Sequence, residues 1–487
     1  MKISLMAICV FCAALSAPGA PLAVTVDGIF SDWQGVTPAH SDPIGDYGDS
    51  TIDFGRLWMA HDGDFLHLRI EVGQEMILNS GNALTLYIDW DNSASTGYSI
   101  RGMGADMKWV FGSRSGTAYT SDGSVYFKQS AVTLLRAPTV SSTEYEIAFS
   151  RKPDLDIPTG SQIRILIRND TAEGDSLPNT GSLSYTFTDG AVTPPEFIPL
   201  ERHPRTRFRI MSWNVLYDGL FLRPEPFRRI IKALNPDILC FQEIYSYTGA
   251  QTRDFVAGVL PLPAGQQWYY SENTDCIIIS RWQVTGKWNT DGNLAVLIDT
   301  PADFPADHLF IVNTHLPAGT NNAQRQAEVD KILQLLRDGI QPGGSFTLNA
   351  GTPAILCGDM NLVTYAQHLN SLIYGDIADE ATYGADFQPD WGGTPLQDLC
   401  PRHATARQVY TWESVSSTYD PGRLDFFIYT DSVMMPARSF VLRSRDLPGE
   451  VLEESGILAG DNETAADHLP IVADFQFETP VQAWAVY

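Results

Sequence analysis

From Val24 to Thr188 apolar and polar residues alternate in short runs broken by Gly, Asp, Asn and Ser. Phe65-Leu66-His67-Leu68-Arg69-Ile70, Leu84-Thr85-Leu86-Tyr87-Ile88 and Ile163-Arg164-Ile165-Leu166-Ile167 carry the two-residue period of strands. No long helical period intervenes, which predicts an all-β sandwich of roughly jelly-roll type over 24–190. Val192-Thr193-Pro194-Pro195-Glu196-Phe197-Ile198-Pro199 and then Pro204 place four prolines in eleven residues. Each proline fixes φ and removes a donor, so 191–206 reads as a stiff linker and a domain boundary.

Beyond the linker the pattern changes. Phe208–Trp213 reads as a strand, Pro226–Leu234 as a helix and Asp237–Gln242 as a strand. Strands are predicted over Asp275–Ser280, Leu294–Asp299, Leu309–Thr314 and Ala354–Cys357, with a helix over Ala323–Arg337 between the last two. Strands alternating with helices predict an α/β domain of packed sheets over 207–480. Bases cluster early in it, as in Arg207-Phe208-Arg209-Ile210, where alternation with apolar residues predicts the exposed face of a strand.

The first 20 residues differ from both parts. Lys2, an apolar run from Ile3 to Leu15 and Ser16-Ala17-Pro18-Gly19-Ala20 form a basic start, a short apolar stretch and a small-residue end. That order predicts a secretory signal peptide over 1–20 and a secreted or periplasmic protein. The run is too short for a membrane-spanning helix and no later stretch is longer, so no transmembrane segment is expected. Cys240 and Cys357 lie inside apolar runs and read as buried thiols, with Cys276 and Cys400 open between thiol and disulfide. No paired Cys or His spacing suggests zinc.

The 487 residues carry 58 acidic and 32 basic side chains, a net charge of −26. A broad basic track for nucleic acid is therefore excluded, although a site touching one phosphate is not. Nothing in the pattern specifies an oligomer.

Polar residues recur where the predicted strands end. Asn214 follows Met211-Ser212-Trp213, Glu243 follows Phe241-Gln242, and His315 follows Asn313-Thr314. Asp359 and Asn361 follow Cys357-Gly358, Asp425 stands in Arg423-Leu424-Asp425-Phe426, and Asp467-His468 precede Leu469-Pro470. Strand ends are where charged groups converge without the cost of an unpaired buried charge. The set combines hard oxygen ligands, two imidazoles and amide donors.

Ser212-Trp213-Asn214-Val215-Leu216, Gln242-Glu243, Thr314-His315-Leu316, Gly358-Asp359-Met360-Asn361, Arg423-Leu424-Asp425-Phe426 and Asp467-His468-Leu469-Pro470 together resemble the endonuclease/exonuclease/phosphatase family, the deoxyribonuclease-I-like fold. The resemblance covers about 207–475 and implies an α/β four-layer sandwich. It implies a metal site of Glu243, assisted by Asn214 and Asp467, for Mg2+ or alternatively Mn2+ or Ca2+. It implies His468 as general base with Asp425 on its other ring nitrogen, and His315 as a donor to the phosphate or leaving group. Asp359 and Asn361 would position the nucleophile and a phosphate oxygen. Leu216 stands where some nuclease members carry a carboxylate, which is closer to deadenylase and sphingomyelinase-like branches. Asp218 reads either as a displaced ligand or as a turn residue before Gly219. Arg325 suits a surface ion pair with Glu328 or Asp330, and 376–410, with Asp386, Asp390, Trp391, Asp398 and His403, reads as a long loop beside the site.

Val24-Thr25-Val26-Asp27-Gly28-Ile29-Phe30-Ser31-Asp32-Trp33 and Tyr87-Ile88-Asp89-Trp90-Asp91-Asn92 are similar to family-nine carbohydrate-binding modules and related DOMON-like sandwiches. This implies polysaccharide or small-ligand binding, with Trp33 or Trp90 either stacked on a sugar or in the core. Asp89, Asp91 and Asn92 suit either a structural Ca2+ or a hairpin turn. The combined expectation is an exported, divalent-metal-dependent phosphodiesterase or nuclease acting on a phosphoester substrate. Alternatives are a sphingomyelinase-like enzyme, a small-phosphoester phosphatase, or a non-catalytic binding protein on the same fold.

Overall fold

The structure is a computed structural model that describes residues 19, 21–47 and 52–477. Apart from Gly19, the predicted leader over 1–20 lies outside the described residues. The chain divides into two compact units: one holds the described residues up to Pro138, Ser142–Thr193 and Ser416–Tyr419, and the other the rest.

The first unit is an all-β sandwich. One sheet runs, in spatial order, His40–Ser41, Arg56–His61, Phe65–Met76, Ser142–Ser150 and Leu135–Ala137. The other runs Ser176–Leu177, Gln162–Asn169, Leu84–Asp89, Met107–Val110, Ser115–Thr120 and Gly123–Phe127, with Leu183–Thr186 also pairing Gln162–Asn169. All these pairings are antiparallel. Leu66, Leu68 and Ile70 of the first sheet share one apolar core with Leu84, Leu86, Ile88, Ile163, Ile165 and Ile167 of the second. The alternation visible in the sequence is thus the inward face of each sheet.

The second unit has four layers. Its first sheet runs Tyr269–Asn273, Cys276–Ser280, Ile238–Gln242, Phe208–Asn214, Ile471–Phe477 and Met434–Val441. Its second runs Val284–Thr290, Asn293–Asp299, His308–His315, Ala354–Asp359, Asp425–Tyr429 and Gln397–Asp398. Each sheet is mixed, with one parallel pair: Phe208–Asn214 beside Ile238–Gln242, and His308–His315 beside Ala354–Asp359. Between the sheets lies a core of Phe208, Ile210, Ile238, Cys240, Ile311, Ile355, Cys357 and Phe427. Outside the first sheet, Met211, Trp213, Leu239 and Phe241 pack on the Pro224–Leu234 and Gly249–Val259 helices. Outside the second, Phe310, Val312 and Leu356 pack on Asn322–Ile340 and Ala366–Tyr374.

Arg209 departs from expectation. It points to the outer face of its sheet, but that face is covered by helices, so Arg209 is buried. Its guanidinium meets the cross-strand Asp474 through Nε–Oδ1 at 2.6 Å and Nη2–Oδ2 at 2.8 Å, and donates to the carbonyls of Leu200 and Leu234. Arg325 departs likewise: it is fully buried and donates to Pro317 O, Gly319 O, Asn322 Oδ1 and Thr364 Oγ1 instead of pairing with Glu328 or Asp330. All four described cysteines are free, and Cys276 is buried with Cys240 and Cys357.

Candidate active site

The two-residue period of a strand decides which polar residues meet. Along Phe208–Asn214, residues 208, 210, 212 and 214 face the inter-sheet space, and Asn214 is the last. The same parity sends Gln242, His315 and Asp359 inward at the ends of their strands. Asp425 opens an antiparallel strand directly opposite Asp359, while His315 is paired with Asp359 across the parallel ladder. The inter-sheet layer is therefore apolar along most of its length and polar at one end.

Asp359 is the focus of that end. Its Oδ2 accepts from Asn214 Nδ2 at 3.0 Å and lies 3.7 Å from His315 Nε2 and 3.6 Å from His468 Nε2. Gly358 precedes it with φ +128°, and a Cβ there would stand 2.0 Å from Thr314 O, so only glycine lets the two strands close at this point. Each imidazole is held from behind by another carboxylate. His468 Nδ1 lies 2.8 Å from Asp425 Oδ2, which also accepts from Thr411 Oγ1 at 2.6 Å. His315 Nδ1 lies 2.6 Å from Asp275 Oδ2. With the carboxylates ionised, each ring donates from Nδ1 and turns Nε2 toward Asp359.

Charge follows this geometry. Burial pulls His468 toward the neutral form, but Asp425 and Asp359 outweigh it and push its pKa up to about 10. Burial likewise opposes charge on His315, and the Asp275 hydrogen bond with the Asp359 carboxylate pushes it up to about 9. Burial raises Asp359 itself, partly offset by His468.

Glu243 sits beside Asn214, whose Nδ2 donates to its Oε1 at 3.0 Å, and Tyr217 N donates to its Oε2 at 2.9 Å. Glu243 has φ +65°, and Leu216, Tyr217 and Asp218 are three consecutive left-handed residues. Such backbone is costly for side chains with a Cβ and is held here by specific bonds. Asp218 N donates to Glu243 O, and Asp218 Oδ1 accepts from Tyr245 N and Ser246 N. Asp218 is thus a brace between two loops. Asn361, with φ +48°, donates its N–H to Asp359 Oδ1 and its amide to Leu316 O, tying the loop after His315 to the site.

Asn214, Glu243, His315, Asp359, Asn361, Asp425 and His468 are therefore gathered in one network. Asp467 adjoins it through His468, but its Oδ2 accepts from the Trp412 indole at 2.9 Å. Glu243 accepts only two hydrogen bonds, and Asp467 Oδ1 is buried with no hydrogen-bond partner, so both have oxygens open to a hard divalent cation. Asn214 differs: its Oδ1 is taken by Leu216 N at 3.0 Å, so its NH2 group faces the carboxylates. Asp386 and His403 serve their own segment, Asp386 accepting from Ile377 N and His403 buried against Tyr410 O, whereas Asp398 pairs with Arg423, two residues before Asp425. Asp275 and Thr411 were not among the expected site residues. Asp275 precedes the strand Cys276–Ser280, and the start of an antiparallel strand lies at the same sheet end as its neighbour's finish.

In the first unit, Asp89 and Asp91 stand with Asp106, an addition to the sequence reading, and their carboxylate oxygens lie within 4.8 Å of one another. Asp89 also pairs with Arg164 at 2.6 Å, and Asp106 Oδ1 is buried without a partner. Trp33 and Trp90 are both core residues, 1% exposed, so neither offers a face for stacking on a sugar.

Residues 211–447 match the model of the Endonuclease/Exonuclease/phosphatase family, and the second unit is a domain of that family. Asp467 and His468 lie beyond the matched residues, and His468 is tied to them by Asp425 Oδ2 at its ring and by the Trp213 indole, which donates to its carbonyl at 2.9 Å. No curated protein sequence matches the chain. Among solved structures, the chain is similar to the human Nocturnin catalytic domain with bound sulfate (18% identity, 57% of this chain and 97% of that one, TM-score 0.35). It is also similar to an AP endonuclease from Archaeoglobus fulgidus (14%, 56% and 100%, TM-score 0.33). A third is sphingomyelinase C from Streptomyces griseocarneus (13%, 55% and 98%, TM-score 0.31).

Proposed function

We propose that the protein is an exported, divalent-metal-dependent phosphoester hydrolase whose second unit cleaves a phosphodiester. The observation that carries this reading is the pair of carboxylate-backed imidazoles, His468–Asp425 and His315–Asp275, facing each other across Asp359. Two rings whose Nε2 atoms converge on one carboxylate oxygen suit a base and an acid acting on one phosphorus centre. His468 accepts the proton of the attacking water at Nε2, while Asp425 holds its Nδ1–H and stabilises the imidazolium that forms. His315, kept protonated by Asp275, donates to a phosphate oxygen or to the leaving group. Asp359 orients the water, and Asn361 fixes the loop that carries Leu316 beside it.

Glu243 and Asp467 would hold the cation, Mg2+ first among the candidates, and Asn214 would fix the Glu243 carboxylate by its NH2 group. When bound, that ion supplies Lewis acidity for the phosphoryl oxygen and opposes the proton on His468. The first unit is read as a ligand-binding module, with calcium beside Asp89, Asp91 and Asp106 as a structural ion. No helix among the described residues is long and apolar enough to cross a membrane.

The test is hydrolysis of bis-p-nitrophenyl phosphate by the full chain with Mg2+. Activity should vanish in EDTA, return with added Mg2+, and be absent in His468→Ala. Equal activity of wild type and His468→Ala, or indifference to EDTA, refutes the reading.

A further inference from the structure

We propose that the first unit binds a calcium ion between Asp42, Asp46 and Asp175, where it clips together the edges of the two sheets of the sandwich. Each of the three offers a carboxylate oxygen, and these oxygens lie within 4.8 Å of one another. The position is not arbitrary. His40–Ser41 is an edge strand of the five-stranded sheet and Ser176–Leu177 an edge strand of the other. Asp42 follows the first edge and Asp175 precedes the second, so one ligand comes from each sheet.

The hydrogen bonds around the cluster orient the carboxylates and leave one oxygen unmet. Asp175 Oδ2 accepts from Phe54 N and its Oδ1 from Ser176 N, both at 2.6 Å. Asn179 Nδ2 bridges Asp42 Oδ1 at 3.0 Å and Asp46 Oδ2 at 2.6 Å. Asp42 Oδ2 is buried with no hydrogen-bond partner, on a side chain wholly withdrawn from solvent. The imidazole Nε2 of His40 stands 3.8 Å from Asp42 Oδ1, beyond hydrogen-bond range. A buried carboxylate oxygen with no donor is costly, and so is the approach of three like charges. Burial, then repulsion from Asp175, Asp46 and Asp53, pushes the Asp42 carboxyl up to about 7. A cation relieves both costs at once.

The donors are all oxygen, which points to a hard ion. Asp42 and Asp46 share the segment that follows His40–Ser41, Asp175 comes from a distant one, and Asp46 is exposed, leaving one side of the cluster open to water. Calcium accepts six to eight oxygens in irregular arrangements, including waters, whereas Mg2+ demands a tight octahedron.

The test uses the full chain stripped of metal, with calcium added to about 1 mM, in the range of extracellular modules. Bound calcium is counted by equilibrium dialysis, and melting is followed with and without the ion. Asp42→Asn should bind one ion fewer per chain than wild type and lose part of the calcium-dependent rise in Tm. Without calcium it should melt at or above wild type, because a neutral amide replaces a repelling charge. Asp46→Asn, at the exposed position, should lose the same ion, and it decides the matter if Asp42→Asn does not fold. An unchanged calcium count in the variants, or an equal drop in Tm with and without calcium, overturns the proposal.

Discussion

Asp425→Asn isolates the step on which the proposed chemistry depends. Asp425 is fully buried, and its Oδ2 accepts from both His468 Nδ1 and Thr411 Oγ1, while its Oδ1 has no hydrogen-bond partner. An asparagine of the same shape has two orientations there, and each is poor. With its oxygen toward His468 the ring keeps its tautomer, but the imidazolium loses its charge partner and the amide NH2 is buried without an acceptor. With its NH2 toward His468, Nδ1 must accept, the ring proton moves to Nε2, and the base can no longer take a proton. The second orientation removes about ten-thousand-fold in kcat in a comparable carboxylate–histidine pair, which is about 5.5 kcal/mol of barrier.

The pH dependence carries the sign. Burial lowers the pKa of His468, and Asp425 and Asp359 raise it; deleting one of those charges lowers it. The base is active when neutral, so in Asp425→Asn its acid limb moves to lower pH and the deficit against wild type narrows as pH falls. The assay is the pH–rate profile of bis-p-nitrophenyl phosphate hydrolysis, with a thermal melt as the fold control. A folded variant within about tenfold of wild type, or one with a large deficit but a parallel profile, would refute the role given to the His468–Asp425 pair.

Two further predictions concern stability. Burial depresses His403 and His368 to about 4 each, from an ordinary value near 6.5. Between pH 6.5 and 4 the unfolded chain binds protons that the folded chain does not, so stability should fall through that window, by up to about 3 kcal/mol per histidine. Urea midpoints at pH 7 and pH 5 measure this, and His368→Gln should flatten the difference. Asp474→Ala should cost about 3–5 kcal/mol, because it leaves Arg209 charged and buried; an unchanged urea midpoint would show that the pair does not bear on the fold.

Most of the second unit's frame is visible in the sequence because its strands are buried on both faces and read as apolar runs, such as Leu309-Phe310-Ile311-Val312. The edge strand Val284–Thr290 is harder to see: its residues alternate between partly buried and exposed, and Gly286 interrupts the pattern. Arg209 shows the limit of reading polarity as exposure. Period two correctly separates the faces of its strand, but whether an outer face meets water depends on helices contributed by distant sequence. For Trp33 and Trp90 the sequence leaves stacking and core both open, and burial decides for the core: Trp90 lies in the core between the two sheets, and Trp33 in a separate cluster with Val24, Trp58 and Ala60.

The site itself is legible to the extent that it follows strand parity. Asn214, His315 and Asp359 end strands and point inward, so their convergence is a consequence of register. Asp275 and Thr411 do not end strands: Asp275 precedes the antiparallel strand Cys276–Ser280, so its place depends on strand direction, and Thr411 stands in irregular chain with no period to read. Yet these are the groups that decide charge: without Asp275, His315 would have no backing carboxylate, and Thr411 donates to the same Asp425 oxygen that holds His468. The net charge of −26 therefore has a local counterpart of definite form. Glu243, Asp275, Asp359 and Asp425 surround two imidazoles, and in the absence of other charge they keep both rings protonated. A base and an acid on the same phosphate require the two rings to differ. Asp467 next to His468, with one carboxylate oxygen buried and unpartnered, is where added positive charge would act on one ring before the other.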